Sequence, residues 1–208
     1  PHMVVFNELN KFYSRHSGGR YTLGVREIRQ AFLASDLLQD RIRAFRNERV
    51  TAIIGGGTPV PLLPEAKIVL HVIPYTAYDR PGSIDLADAY GRRHELKTIG
   101  DTNKTARHNL DGFVVYGGRS GNDPRCEAYT QVYRGGIVES VNSYILEGNK
   151  GHVSGPTPIP SQLYEDAIIA SLDSSLKLLL SLGVEPPLSG MLSLVGVKGL
   201  TMALDQRW

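Results

Sequence analysis

"CEAYTQVYRGGIVESVNSYIL", residues 126–146, decides the fold. Two runs rich in β-branched and aromatic residues flank Arg134-Gly135-Gly136, the pattern of two strands turned back on each other by a short glycine loop. Within the first run Ala128, Thr130 and Val132 alternate with Tyr129, Gln131 and Tyr133, so the two sets face opposite sides of a sheet. A hairpin is expected over 127–145. Working outward, "DGFVVYGG" (111–118) reads as a further antiparallel strand. "KIVLHVIPY" (67–75) is aliphatic at five of its first seven positions. That marks a strand covered on both faces and ended by Pro74.

Helices lie at both ends of this β region. Val25, Ile28 and Phe32 recur at helical spacing up to Ala34, with Thr22 as the expected cap. Ser35 or Asp36 then reads as the cap of a second helix, with the stripe Leu38, Ile42, Phe45 and Ile53, stopped by Gly55-Gly56-Gly57. The expectation is a helix pair with a sharp corner. Near the other end, Ser161 is expected to cap a helix over 161–182, with Gly183 as its C-cap. "MLSLVGVKGLTM" (191–202) supplies one or two closing strands. The polar stretch 76–111 reads as a long surface loop with a short helix at Asp85–Tyr90.

The order α-α-β-loop-β-β-β-α-β, with segregated helices and a mostly antiparallel sheet, predicts an α+β fold. The long C-terminal helix is expected to cover one sheet face, and the helix pair to pack on that same face or an edge. Residues 24–208 read as a single α+β domain.

The bulk numbers exclude several classes. The chain has 208 residues and a net charge of +2, too small to imply nucleic acid or an anionic membrane. One cysteine, Cys126, leaves no internal disulfide and no cysteine-based zinc site, which suits a cytoplasmic protein. No apolar run reaches the roughly 18–20 residues that span a bilayer. Pro1-His2-Met3 reads as a cloning scar. Charge is uneven: residues 1–50 hold nine Lys/Arg against five acids.

The motifs of chemistry are missing. "GGGTPVPL" lacks GK[ST], and its glycines follow a helix where a phosphate loop follows a strand. There is no GxGxxG, HxH, HExxH or GxSxG. His71, inside the most apolar strand, reads as a core histidine bonded to a neighbour. His94, His108 and Asp101 share the polar loop, and an enzyme would need them to converge in one pocket. No cofactor is called for, and the expectation is that these residues hold no active site. The remaining candidates are basic. Arg43, Arg46 and Arg49 trace one side of the second helix, with Arg41 adjacent, and together with Arg15 and Arg20 they are the candidate nucleic-acid or phosphate ligands. The competing reading is that they pair with acids and snorkel over the core.

Five stretches carry a resemblance. "FYSRHSGGRYTLGVREIRQAF" (12–32), "DRIRAFRNERV" (40–50), "TPVPLLPEAKIVLHVIPYTAYD" (58–79), "YTQVYRGGIVESV" (129–141) and "LGVEPPLSGMLSLVGVKGL" (182–200) resemble the C-terminal region of bacterial Schlafen/AlbA-like proteins, described as DNA-binding, ATP-binding or transcriptional regulators. The first segment departs from the family pattern at Gly24, where an aspartate is usual. The resemblance implies that residues 4–23 trail an upstream AlbA-like domain, the first expected partner. It also implies that the acidic motif of Schlafen-type nucleases lies outside this chain. The expected function is a non-catalytic regulatory, sensing or interaction module of a protein acting on nucleic acid. The alternative is a nucleic-acid-binding module using the arginine-rich second helix. DNA, RNA and a second copy of the chain complete the expected partners, and a membrane is not among them.

Overall fold

A computed structural model of the chain describes residues 5–6, 12–16, 19–22, 24–78, 84–100, 104–118, 124–147 and 158–203. The fold is α+β. The chain divides into two compact units, Pro1–Phe45 and Arg46–Trp208.

The first unit holds strands β1 (Val5–Phe6), β2 (Phe12–His16) and β3 (Gly19–Thr22), joined antiparallel in that order. Helix α1 (Val25–Ile54) follows and runs on into the second unit. The expected helix pair is therefore one helix of 30 residues. Ser35 and Asp36 are exposed there. Water takes their side chains, neither removes a backbone N–H, and their propensity deficit of a few tenths of a kcal/mol does not break a helix. Gly24, not Thr22, is the N-terminal cap. Its carbonyl accepts from Ile28 N, and its N–H donates to Glu27 Oε2 at 2.7 Å. That is the reciprocal half of a capping box, which needs no side chain at the cap. The predicted stop is correct: Gly56 sits at φ +81, with Gly57 N donating to Ala52 O at 2.7 Å and Gly56 N to Ile53 O at 3.2 Å.

The second unit is built on a six-stranded sheet. Its strands are β4 (Lys67–Pro74), β5 (Lys104–Asn109), β6 (Gly112–Gly118), β7 (Cys126–Tyr133), β8 (Val138–Asn142) and, after helices α2 (Leu86–Gly91) and α3 (Ser161–Ser181) and the short strand β9 (Ile159–Pro160), β10 (Leu188–Val195). The order is β10-β4-β8-β7-β6-β5, every neighbour antiparallel. A last strand, β11 (Met202–Ala203), pairs with β9 in parallel.

The hairpin forms as expected. Val132 faces Val138, Tyr133 N donates to Ile137 O at 2.8 Å, and Gly136 takes φ +84. The short helix capped by Asp85 is also present, its carboxylate accepting from Ala87 N and Asp88 N. Residues 76–111 are not all loop, however. "KTARHN" is the edge strand β5, whose polar residues suit a strand with one open side. Ser161 does not cap α3: the cap position is Pro160, with no side-chain bond. At its other end Gly183, at φ +74, donates to Leu180 O, and Val184 N donates to Leu179 O.

Both sheet faces are covered. Val72, Phe113, Val115, Val132 and Val138 pack against Leu178 and Leu179 of α3. On the opposite face Val69, Val114, Tyr129 and Val141 pack against Ile53 and Val60, with Val50 beside them. The end of α1 thus covers the face that α3 leaves open, not the same face or an edge. Period-2 alternation requires this, because β4 is apolar on both sides and each side needs a cover. Among the described residues no helix is long and apolar enough to cross a membrane.

Candidate functional site

The α1-covered face carries a row of polar residues through its apolar field. His71 of β4 lies opposite Glu139 of β8, which lies opposite Gln131 of β7. Residues directly opposite in antiparallel strands share a face, so the row is set by register. All three are buried, Glu139 and His71 completely.

Four donors converge on Glu139. Arg49, near the end of α1, makes a two-pronged bond, Nε to Oε2 at 2.8 Å and Nη2 to Oε1 at 3.0 Å. Tyr129 OH donates to Oε1 at 2.8 Å, and His71 Nε2 lies 3.0 Å from Oε2. Each oxygen thus has two partners, which fills the roughly four acceptor sites of a carboxylate. Burial by itself raises a carboxyl pKa. The hydrogen bonds from His71 and Arg49, with their charges, outweigh it and hold Glu139 down at about 2. The same bond to Glu139 raises Arg49. Burial first, and the Glu139 charge second, push the Tyr129 and Tyr133 phenols up, so both stay protonated.

A cleft of about 300 Å³ opens on this network, lined by Arg49, Thr58, Asn109, Asp111, Gln131 and Tyr133 among others. Asn109 and Gln131 exchange amide bonds, Asn109 Nδ2 to Gln131 Oε1 at 2.7 Å and Gln131 Nε2 to Asn109 Oδ1 at 3.2 Å. The Asn109 oxygen also accepts from Asp111 N at 3.1 Å, closing the turn that carries Asp111. The arrangement positions donors and acceptors rigidly. Among the described residues the one carboxylate held well below its ordinary range, Glu139, has each oxygen already taken up by two partners.

The predicted residues fare differently. Arg49 is at the site, but as the partner of a buried acid. Arg46 donates from Nε to Ser193 Oγ at 3.0 Å and from Nη1 to Asn47 Oδ1 at 3.0 Å. Both arginines lie on the apolar stripe, not away from it. Seven residues make almost two turns, so Arg49 stands over Ile42. Arg43 is exposed, 3.5 Å from an equally exposed Asp40. Arg15 and Arg20 occupy facing positions on β2 and β3. His94 lies in a short 3₁₀ turn, Arg93–Glu95, and is exposed. His108 stacks on Tyr90 at 4.0 Å. Asp101 lies outside the described residues. Among the described residues no three His, Cys, Asp or Glu groups lie where they can hold a metal ion.

His71 does bond a neighbour, as expected. Sequence reasoning missed Glu139 and its link to Tyr129 and Gln131. The available signal was a lone charged residue among mostly β-branched ones, "IVESV". No protein-family model, no curated protein and no solved structure matches the chain.

Proposed function

We propose that this chain is a non-catalytic sensing module of a cytoplasmic Schlafen/AlbA-like bacterial protein, and that chemistry on nucleic acid belongs to an upstream AlbA-like domain. The cleft beside Arg49 receives a small polar ligand, and its occupancy is what the module reports. The observation that carries this reading is the saturated Glu139: four donors leave it no part in proton transfer, yet it fixes Arg49 at the cleft wall. Among the described residues the Arg49 Nη1 group has no partner within the chain, so its N–H groups are available to an acceptor on a ligand. Arg49 and Glu139 neutralise each other, and Asp111 adds a negative charge at the rim. That balance favours a neutral or zwitterionic ligand over phosphate.

The test has two arms. The chain is incubated with RNA, DNA and nucleoside triphosphates with magnesium, and hydrolysis of any of them by the purified chain sinks the reading. A thermal-shift panel of free amino acids and small amides is run in parallel. A ligand that raises the unfolding temperature of the wild type but not of Asn109→Ala supports it.

A second reading rests on Arg15 facing Arg20 and on the exposed Arg43: nucleic-acid binding through the first unit. It predicts anisotropy changes with RNA or DNA that fall steeply with salt. Absence of binding at low salt removes it.

A further inference from the structure

The two edges of the six-stranded sheet are built differently. β5 carries Lys104, Arg107 and His108, charged or titratable residues of the kind that keep an edge from pairing. β10, "LSGMLSLV", carries no charge and no proline over eight residues. It pairs with β4 in unbroken register from Leu188↔Pro74 to Val195↔Lys67. Among the described residues no strand pairs with its other side. An uncharged outer strand of this length, in unbroken register, presents a row of backbone donors and acceptors that serve as a template for another strand.

Its side chains say which strand. Leu192 and Leu194 face Leu70 and Ile68 of β4 and so lie on the α3 side of the sheet. They remain 45% and 43% exposed. Gly190 precedes them in the same row, and a side chain built there meets nothing within 4 Å. We propose that β10 pairs antiparallel with β10 of a second copy of this chain, about a two-fold axis perpendicular to the sheet. Such an axis keeps like faces together and pairs residues whose numbers have a constant even sum. With Leu192 on the axis, the two Leu192 side chains meet, and Leu194 of each copy covers the open space over Gly190 of the other. Met191 then faces Ser193 on the opposite side. A strand without charge meets its own copy without repulsion, and it offers no countercharge to a charged peptide. The product is a continuous sheet that joins the two six-stranded sheets edge to edge.

Edge pairing alone covers less than the ~800 Å² per partner of a standard interface, so the association depends on concentration. The test is sedimentation equilibrium of the whole chain from about 1 μM to about 1 mM, a range that brackets weak dimers. The expected mass rises to twice that of one chain within the range. Leu192→Lys and Leu194→Lys, separately, return it to one chain at the concentration where the wild type is paired. Both sites are half-exposed, so lysine is accommodated in the monomer, and unchanged circular dichroism verifies that. Leu110→Lys, at a 93% exposed turn away from β10, leaves the dimer intact. A wild type monomeric across the whole range overturns the proposal, and so does a dimer that survives both β10 lysines or one that Leu110→Lys dissociates.

Discussion

Replacing Glu139 by glutamine removes one charge and almost no volume, and two independent routes give its cost. Deleting one partner of a buried ion pair costs about 3–5 kcal/mol, because the other charge is stranded. Arg49 keeps 22% of its side-chain surface and finds some water, which favours the lower end, about 3 kcal/mol. The second route is the carboxyl itself. A group held at about 2 in the folded protein, against an ordinary 4.5, contributes roughly 3 kcal/mol at neutral pH. Because its folded pKa is depressed, that contribution is complete above pH 4.5 and is lost as the pH falls through 2. Urea unfolding is the assay. With a slope of about 2 kcal/mol/M, the midpoint of Glu139→Gln at pH 7 falls by about 1.5 M. The gap between the two proteins then narrows towards pH 2, where about half of the wild-type carboxyl is itself protonated. A midpoint change under about 0.3 M at pH 7, or a gap of constant size down to pH 2, refutes the reasoning.

Other substitutions test the scaffold around the site. Asn142 is buried, donates to Ile99 O at 2.8 Å and accepts from Tyr144 N and Ile145 N at 2.8 Å each. Asn142→Ala removes these three side-chain hydrogen bonds and is expected to lower the unfolding free energy by about 2–3 kcal/mol in the same urea assay. A side chain at Gly112 lands on the Val132 carbonyl oxygen, so Gly112→Ala is expected to lose the β6–β7 pairing, read by far-UV circular dichroism. Arg43→Ala, at an exposed pair, is expected to change stability by less than about 0.5 kcal/mol. Cys126 is buried, and burial pushes its thiol up to about 11. Ellman's reagent is expected to label it slowly in the native protein and rapidly in urea, and equal rates contradict its placement.

The residues outside the sheet's centre show where local reading ends. Ser35 and Asp36 have the same side chains whether they cap a helix or sit exposed in one. Only the absence of a competing turn around them made α1 continuous. "KTARHN" has no apolar signal because one of its sides is open, so its strand character came from the register with "DGFVVYGG". Arg46 and Arg49 looked like a basic flank because charge in sequence carries no information about partners as remote as Ser193 and Glu139.

The amino-acid order alone determined the class of fold, the hairpin at 127–145, the buried strand at 67–75, the C-terminal helix and its glycine stop. Each of these depends on periodicity and turn chemistry, which act over a few residues. Tertiary structure alone decided which helix covers which face, that Arg49 belongs to Glu139, and that Asn109 and Gln131 border one cleft. Those depend on which strands become neighbours, and strand order is set by the summed burial of both faces, a property no short stretch contains.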